Sequence, residues 1–313
     1  MPQAATHAYF AKDVYKKLPA KVKKKTDLDL MITFSQGPDA FYNAVTLHGN
    51  KNNYHFGYMV HTTKTKKFLI EYTDHILKYR LEKNLDVVSS LYGMMLHNVL
   101  DKKTHPLIYY QTSKDSLKHR EMELLIDLYM IEKRERKDPK SINLTNFIFP
   151  KMTDSKPLIN LLDRVYEDVY NVPNMGKTYI KGLKGMRFSY THLRYDPYGH
   201  KRNFYQVLTN LPFVSPRINT YSYANNLRDK IWYINYEHEK WTHPCNKNEV
   251  STKSFFDLYN EAIDIAVEMI TKTHEVLSHE LDLKELDSVI DNKSMLTGKD
   301  CNLSGRMRYF RDK

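Results

Sequence analysis

The chain has little cysteine and no long apolar run. Its two cysteines, Cys245 and Cys301, lie far apart in 313 residues, which excludes the disulfide framework typical of small secreted proteins. No apolar run approaches the roughly 20 residues that span a bilayer, so the sequence predicts no transmembrane helix. The first residues, MPQAATHAYF, lack the apolar stretch and the cleavage site of a secretory signal. We therefore expect a soluble, cytoplasmic protein.

Glycine is also scarce, at 10 residues, and the longer segments have the apolar spacing of helices. The predicted helices are 8–18, 66–83, 85–101, 117–135, 157–169 and 253–280. Residues 85–101 are apolar nearly all round, which is typical of a buried helix. The sequence predicts an all-α fold, a single compact multi-helix bundle over residues 1–280, with an irregular Tyr/Pro-rich segment at 186–250. Residues 281–313 are predicted to be a loosely attached C-terminal tail.

The formal net charge of +11 favours an anionic partner. Nucleic acid, a transiently contacted anionic membrane surface and a phosphorylated substrate all fit that charge. The lysines are spread along the chain, and runs of this kind usually form solvated helix faces. Zinc-finger spacing and RNP-like aromatic runs, which would point to nucleic acid, are missing. Charge therefore leaves the partner open.

Histidines and carboxylates recur at helical spacing in residues 97–123. His97 and Asp101 are four residues apart on one predicted helix, and His119 and Glu123 repeat this spacing on the next. His105 follows where Pro106 is expected to end the first helix. Two such pairs can supply the imidazole and carboxylate ligands of a zinc site in a bundle. One pair alone is usually a hydrogen-bonded surface pair, so the spacing leaves both interpretations open.

Upstream, the sequence offers three further candidates, His7, Asp39 after a Gly-Pro turn, and His61. In this order the residues resemble the zinc-dependent phospholipase C family, and in particular its branch without a signal peptide. The segments that carry the resemblance are THAYF (6–10), QGPDAFYN (36–43), FGYMVH (56–61), LYGMMLHNVLDKKTHP (91–106) and KHREMELLIDLYM (118–130), with weaker similarity in NYEHEKWTHPCN (235–246) and KSMLTG (293–298).

The resemblance implies a cluster of two to three Zn²⁺ ions in an all-α bundle. One ion would be held by Asp39, His61, His97 and Asp101, a second by His105, His119 and Glu123, and a third by His7 with a bridging Asp101. Such ions lower the pKa of bound water and neutralise phosphate oxygens. Asp39 would also be the general base. The implied activity is phosphodiester hydrolysis, on a phospholipid headgroup or similar group.

The sequence departs from the secreted members of this family at two places. Those members begin with a tryptophan that completes the third zinc site, whereas this chain begins MPQAAT. The third site could be weak, absent, or completed by the amine of Pro2 after removal of Met1. An aromatic residue that helps to hold choline is replaced by Ala40, while Tyr58 keeps an aromatic at another such position.

Three functions remain open on the sequence. The first is a metal-dependent phosphoric-ester hydrolase of phospholipase C type. The second is a phosphodiesterase of the single-strand nuclease type, which uses a similar zinc cluster and suits the positive charge. The third is a non-catalytic, metal-binding helical protein. The sequence leaves the headgroup, the oligomeric state and the biological role open, and iron or manganese could take the same ligands as zinc.

Overall fold

Helices form almost all of the regular structure. A computed structural model of the protein describes residues 4–48, 51–223, 228–303 and 306–311. Its α-helices are α1 (Ala4–Lys17), α2 (Ala20–Lys23), α3 (Leu28–Phe34), α4 (Asp39–His48), α5 (Lys51–Thr62), α6 (Thr65–Lys78), α7 (Leu85–Thr112), α8 (Ser116–Glu135), α9 (Thr145–Ile148), α10 (Lys156–Tyr170), α11 (Met175–Ser189), α12 (His200–Leu208) and α13 (Phe255–Leu277). This confirms the predicted all-α fold. None of the described helices combines the length and the apolar character that crossing a membrane requires.

The longest helix, α7, lies at the centre of the molecule. It has 28 residues, and most of them are buried because apolar side chains occupy every face, as the sequence predicted. The side chain of Asn84 begins it by accepting the amide hydrogen of Val87 at 3.2 Å. The helices that pack around α7 are α1, α3, α6, α8 and α13.

The prediction that Pro106 ends this helix is wrong, since α7 continues through Pro106 to Thr112. Proline has no backbone N–H, so the carbonyl of Lys102 loses its helical partner. Packing from the C-terminal segment compensates for this loss. Gly298 (φ +63°) lies so close that a Cβ there would be 2.7 Å from the carbonyl oxygen of Lys102, and Lys102 Nζ lies 2.8 Å from Asp291 Oδ1.

Between α11 and α13 the chain is irregular, as the Tyr/Pro-rich sequence predicted. It contains a π-helical turn (Tyr190–Arg194), α12, and short 3₁₀ helices at Pro216–Tyr221 and Arg228–Ile234. An antiparallel hairpin follows, formed by β1 (Trp241–His243) and β2 (Asn246–Ser251), with Trp241 opposite Ser251. Ser254 then caps α13 in a capping box with Asp257.

Within the described part of the chain after Leu281, several residues pack against the helices, although the sequence suggested a loosely attached tail. Leu286, Ile290 and Met295 are buried. The amide of Met295 donates to the carbonyl of His61 at 2.8 Å, and the carbonyl of Met295 accepts from His105 Nδ1 at 2.6 Å. The division of the chain at residue 280 stays a prediction, but this segment touches two predicted metal ligands.

Candidate metal centre

The eight side chains predicted as metal ligands lie together where several helices meet. They are His7 on α1, Asp39 at the start of α4, His61 on α5, His97, Asp101 and His105 on α7, and His119 and Glu123 on α8. Each has a nitrogen or carboxylate oxygen within 4 Å of another member of the set. Sequence positions up to 116 residues apart are therefore brought into one cluster.

Asp101 lies at the middle of this cluster. Helical spacing places it on the same face as His97 and His105, whose ring nitrogens lie 3.1 Å and 3.7 Å from its Oδ2 atom. Its other oxygen lies 3.3 Å from His7 Nε2 on α1. His7 and Asp101 are completely buried. One carboxylate thus contacts three imidazoles, and its two oxygens face the Nε2 atoms of His7 and His97 separately, as the oxygens of a bridging ligand would.

The turn before α4 brings Asp39 to the same place. Asp39 Oδ1 lies 3.2 Å from His61 Nε2 and 3.9 Å from His97 Nε2. The turn passes directly over the His97 ring, because a Cβ on Gly37 would lie 2.2 Å from His97 Cγ. Gly37 also has a φ of +51°, in the left-handed region that favours glycine. The glycine of the Gly-Pro-Asp sequence is therefore required by the position of His97.

A second group joins the middle of α7 to the start of α8. His119 Nε2 lies 2.9 Å from Glu123 Oε1, and His105 Nε2 lies 3.9 Å from the same oxygen. The His105 and His119 rings are nearly parallel, with centroids 5.6 Å apart. The i, i+4 pair predicted on α8 thus faces a histidine of α7 rather than solvent.

Ring hydrogen bonds show which histidine nitrogens can bind a metal. His61 Nδ1 lies 2.6 Å from the carbonyl oxygen of Gly57, and His97 Nδ1 lies 3.1 Å from that of Ser35, so each Nδ1 is the donor. In a neutral imidazole the Nε2 atom is then an acceptor. These two Nε2 atoms are 3.4 Å apart. Two acceptors at this distance repel each other unless a positive charge, from a proton or a metal ion, lies between them.

The donor atoms fall into three groups of metal-binding size. Within each group the ligand atoms lie within 4.8 Å of one another, and the groups are His7 with Asp39 and His97, His61 with His97 and Asp101, and His105 with His119 and Glu123. Imidazole nitrogen and carboxylate oxygen are ligands that zinc prefers. A backbone carbonyl on Nδ1, as found for His61, His97 and His105, is the usual support of a metal-binding histidine. The residues therefore fit a zinc cluster.

Electrostatics favour the deprotonated, metal-binding forms of three of these ligands, Asp101, His105 and His119. Burial lowers the pKa of His105 to about 3 and also lowers that of His119. Burial by itself would raise the pKa of Asp101, but the charges of His97 and His105 hold it well below its usual value. The pKa of His97 is raised, because Asp101 and Asp39 outweigh the effect of burial. Asp101 as a carboxylate and His105 and His119 as neutral rings are thus already in the form that a metal ion needs, whereas a metal ion at His97 must displace a proton.

Comparison with known families agrees with this geometry. A family model described as zinc dependent phospholipase C matches residues 6–171, which is more than half of the chain. The chain belongs to the zinc-dependent phospholipase C family. The matched residues include all eight predicted ligands, whereas the weaker similarities at 235–246 and 293–298 lie beyond them. Neither the curated proteins nor the solved structures give a match.

In this phospholipase C family member a cavity of about 370 Å³ opens beside the cluster, over Asp39, His119 and Glu123. Its aromatic lining consists of Tyr42, Tyr54, Tyr58, Tyr109, Tyr190 and Tyr221. Tyr58, which the sequence marked, is about half exposed at the entrance, while Ala40 is completely buried. Another cavity, of about 680 Å³ beside Lys25 and His274, includes none of the predicted ligands.

Sequence reasoning missed three arginines in the cavity wall and one buried aspartate. Arg120, Arg194 and Arg217 line the cavity. Arg120 directly follows the predicted ligand His119, and this position could have identified it from the sequence. Arg194 and Arg217 come from the irregular segment, which has no apolar periodicity from which to place them.

Pro2, whose amine was the alternative ligand for the third metal site, lies outside the described residues.

The buried aspartate, Asp127, positions the start of α1. It lies on α8 one turn after Glu123, and its carboxylate accepts the amide hydrogens of Ala5 and Thr6 and the hydroxyl of Thr6. It also accepts the Tyr223 hydroxyl at 3.0 Å. The first N–H groups of a helix lack internal partners, and here α8 supplies one for α1. The residue after Thr6 is His7, so this contact fixes where His7 enters the cluster.

Proposed function

We propose that this protein is a metal-dependent phosphodiester hydrolase of phospholipase C type that uses zinc. The observation that carries the proposal is the convergence of eight histidine and carboxylate side chains, within the family match, beside an open cavity. Zinc ions in such a site supply Lewis-acid polarisation of a phosphoryl oxygen and lower the pKa of water. The proposed ligands are His7, Asp39, His61, His97, Asp101, His105, His119 and Glu123.

Asp39 is proposed to take the proton from the attacking water as well as to bind metal. Asp39 contacts His61 and His97, and of these three residues it is the one that lines the cavity. The exposed fraction of its side chain is 13%. Asp101, in contrast, is completely buried and cannot reach a substrate. A general base must lie within hydrogen-bonding reach of the water that it deprotonates, and of these two carboxylates Asp39 is the one that lines the cavity.

The test is a paired measurement of metal content and phosphodiester hydrolysis on the same preparations. Wild type should contain at least two zinc ions per chain and should hydrolyse a nitrophenyl phosphodiester. Asp39→Asn should keep much of the metal, since an amide oxygen still coordinates, but should lose about 10²–10⁴-fold in rate, the usual contribution of a positioned base. Asp29→Asn is the matched control, because Asp29 is an exposed aspartate in the first turn of α3.

Three results would contradict this proposal. Retained metal with retained turnover in Asp39→Asn would remove the assignment of Asp39 as the base. Fewer than one transition metal per chain, even after reconstitution with zinc, would favour a protein without a catalytic cluster. Cleavage of single-stranded nucleic acid without hydrolysis of small phosphodiesters would favour the nuclease-type alternative, for which exposed Tyr54 and Tyr58 at the entrance offer stacking surfaces.

A further inference from the structure

Three arginines form one wall of the cavity, on the side of His119. Arg120 Nε donates to Thr220 Oγ1 at 3.2 Å, and Arg194 Nη1 donates to the carbonyl oxygen of Thr220 at 3.3 Å. Arg217 lies on the same 3₁₀ helix as Thr220, and its guanidinium donates to the Ser116 hydroxyl at the start of α8. We call Arg120, Arg194 and Arg217 the arginine wall. It shares the cavity with Asp39, His119 and Glu123.

Aromatic rings hold two of these guanidinium groups in place. Arg120 lies 5.1 Å from the centre of the Tyr221 ring, and Arg194 lies 4.6 Å from that of Tyr190. Such contacts orient a guanidinium without neutralising it. Burial lowers the pKa of Arg120, and repulsion from Arg194 and Arg217 lowers it further. Because Arg120 and Arg194 both donate to Thr220 and Arg217 lies on the same short helix as Thr220, the three positive charges are close enough to act together on one ligand.

The charges that line the cavity become strongly positive once metal is bound. Its cationic residues are Lys114 and the arginine wall, and its carboxylates are Asp39, Glu123 and Asp115. On the proposed function, Asp39 and Glu123 are ligands of metal ions that more than neutralise them. Asp115 accepts the amide hydrogens of Leu117 and Lys118 as the N-cap of α8. Arg194 is partly offset by the buried carboxylate of Asp127, so Arg120 and Arg217 supply most of the excess positive charge with which the arginine wall faces the cavity.

This environment is unsuited to a cationic headgroup and suited to an anionic one. Guanidinium groups match phosphate oxygens in geometry and bind them through two parallel hydrogen bonds. The cavity volume, about 370 Å³, exceeds what a single phosphodiester group fills. Tyr190 and Tyr223 near Arg194 are buried, so this wall offers a splayed nucleotide base little stacking surface there.

We propose that the substrates carry a second phosphate group on the headgroup, and that the arginine wall binds it while the scissile diester lies at the metal centre. This inference rests on the proposed function. It names a substrate class that the metal cluster alone does not define, because the cluster recognises only the phosphate that reacts. The arginines act here as binding residues and take no part in the bond changes.

Binding to the zinc-loaded protein can be measured without turnover. Titration calorimetry with 1,3-propanediol bisphosphate and with propyl phosphate compares two ligands that differ in the second phosphate. Wild type should bind the bisphosphate about tenfold more tightly, the effect of one or two charge-assisted hydrogen bonds. Arg217→Gln, a change at an exposed residue, should lose most of that difference. Arg187→Gln, an exposed arginine of α11 that does not line the cavity, should keep it.

The same variants serve for hydrolysis of two nitrophenyl phosphodiesters, one with a phosphorylated and one with a choline alcohol arm. Wild type should prefer the phosphorylated arm in kcat/KM, and Arg217→Gln should reduce that preference at least fivefold. Equal binding of the two phosphate ligands by wild type, or an unchanged preference in Arg217→Gln, would overturn the inference while hydrolysis still supports the proposed function. Tight bisphosphate binding without any hydrolysis would support the arginine wall and count against the proposed function. Cleavage of single-stranded nucleic acid with no effect of the bisphosphate would overturn the inference.

Discussion

Removing the carboxylate of Asp127 should unfold the start of α1 and loosen the metal cluster with it. Four donors converge on this side chain: the Thr6 amide at 2.8 Å, the Thr6 hydroxyl at 2.6 Å, the Ala5 amide at 3.2 Å and the Tyr223 hydroxyl at 3.0 Å. Asp127 is completely buried, so water cannot readily replace it. Asp127→Ala leaves these donors without their acceptor.

The expected loss of stability follows from the number of donors. A buried donor without a partner costs about 1–3 kcal/mol. If rearrangement satisfies half of the four donors, two stay without an acceptor, and Asp127→Ala should lower the free energy of unfolding by about 2–6 kcal/mol. Asp127→Asn keeps one acceptor oxygen, so it should lose about half as much. His7 follows Thr6 directly and is held 3.3 Å from Asp101, so the alanine variant should also contain less zinc.

Urea unfolding and elemental analysis of the same preparations measure both effects. Glu135→Gln is the matched control, since Glu135 also lies on α8 and accepts a hydrogen bond from α1, from the Tyr9 hydroxyl at 2.9 Å, but near the surface. It should lose less than about 1 kcal/mol and no zinc. An unfolding free energy within 1 kcal/mol of wild type for Asp127→Ala would refute the view that α8 caps α1.

Two further outcomes test the cluster itself. Asp101→Ala should lose more zinc than His7→Ala, because Asp101 contacts three imidazoles whereas His7 provides one ligand. Equal losses by elemental analysis would mean that the His7 site contributes as much to zinc binding as the bridging Asp101. Gly37→Ala should lower the free energy of unfolding by at least about 1–2 kcal/mol through the positive φ alone. The clash of the new Cβ with His97 should reduce the zinc content as well. Normal zinc content with normal stability in urea would show that the turn can move away from His97.

Six helices of the bundle and the ligand pairs on α7 and α8 could be predicted from the sequence, because both depend on spacing along one helix. The shorter helices α3, α4 and α5, and also α11, were not predicted. An apolar stripe at helical spacing predicts α6, α8, α10 and α13. An apolar surface on all sides indicates that α7 is the central helix. The i, i+4 spacing fixes which side chains share a face. Neither property depends on how the helices are arranged in space.

Contacts between distant segments could not be predicted in this way. The end of α7 was misplaced because the rule for proline considers only the backbone of its own helix, whereas packing from Asp291 and Gly298 holds the helix together at Pro106. The contact of Asp127 with the start of α1 depends on how α8 packs against α1. The placement of Arg194 and Arg217 in the cavity wall depends on the path of residues 186–223. That path has no periodicity from which to infer it.

The resemblance to the family identified the predicted metal ligands along the chain. The structure adds the main-chain hydrogen bonds that hold these ligands in position. His61 and His105 come from different helices, and the main chain of one residue, Met295, bonds to both positions: its amide to the carbonyl of His61 and its carbonyl to the ring of His105. A carbonyl on Nδ1 fixes which nitrogen of His105 faces Glu123. Since Met295 belongs to the segment that the sequence assigned to a tail, the geometry of the candidate metal centre depends on residues far beyond the part of the chain that carries the ligands.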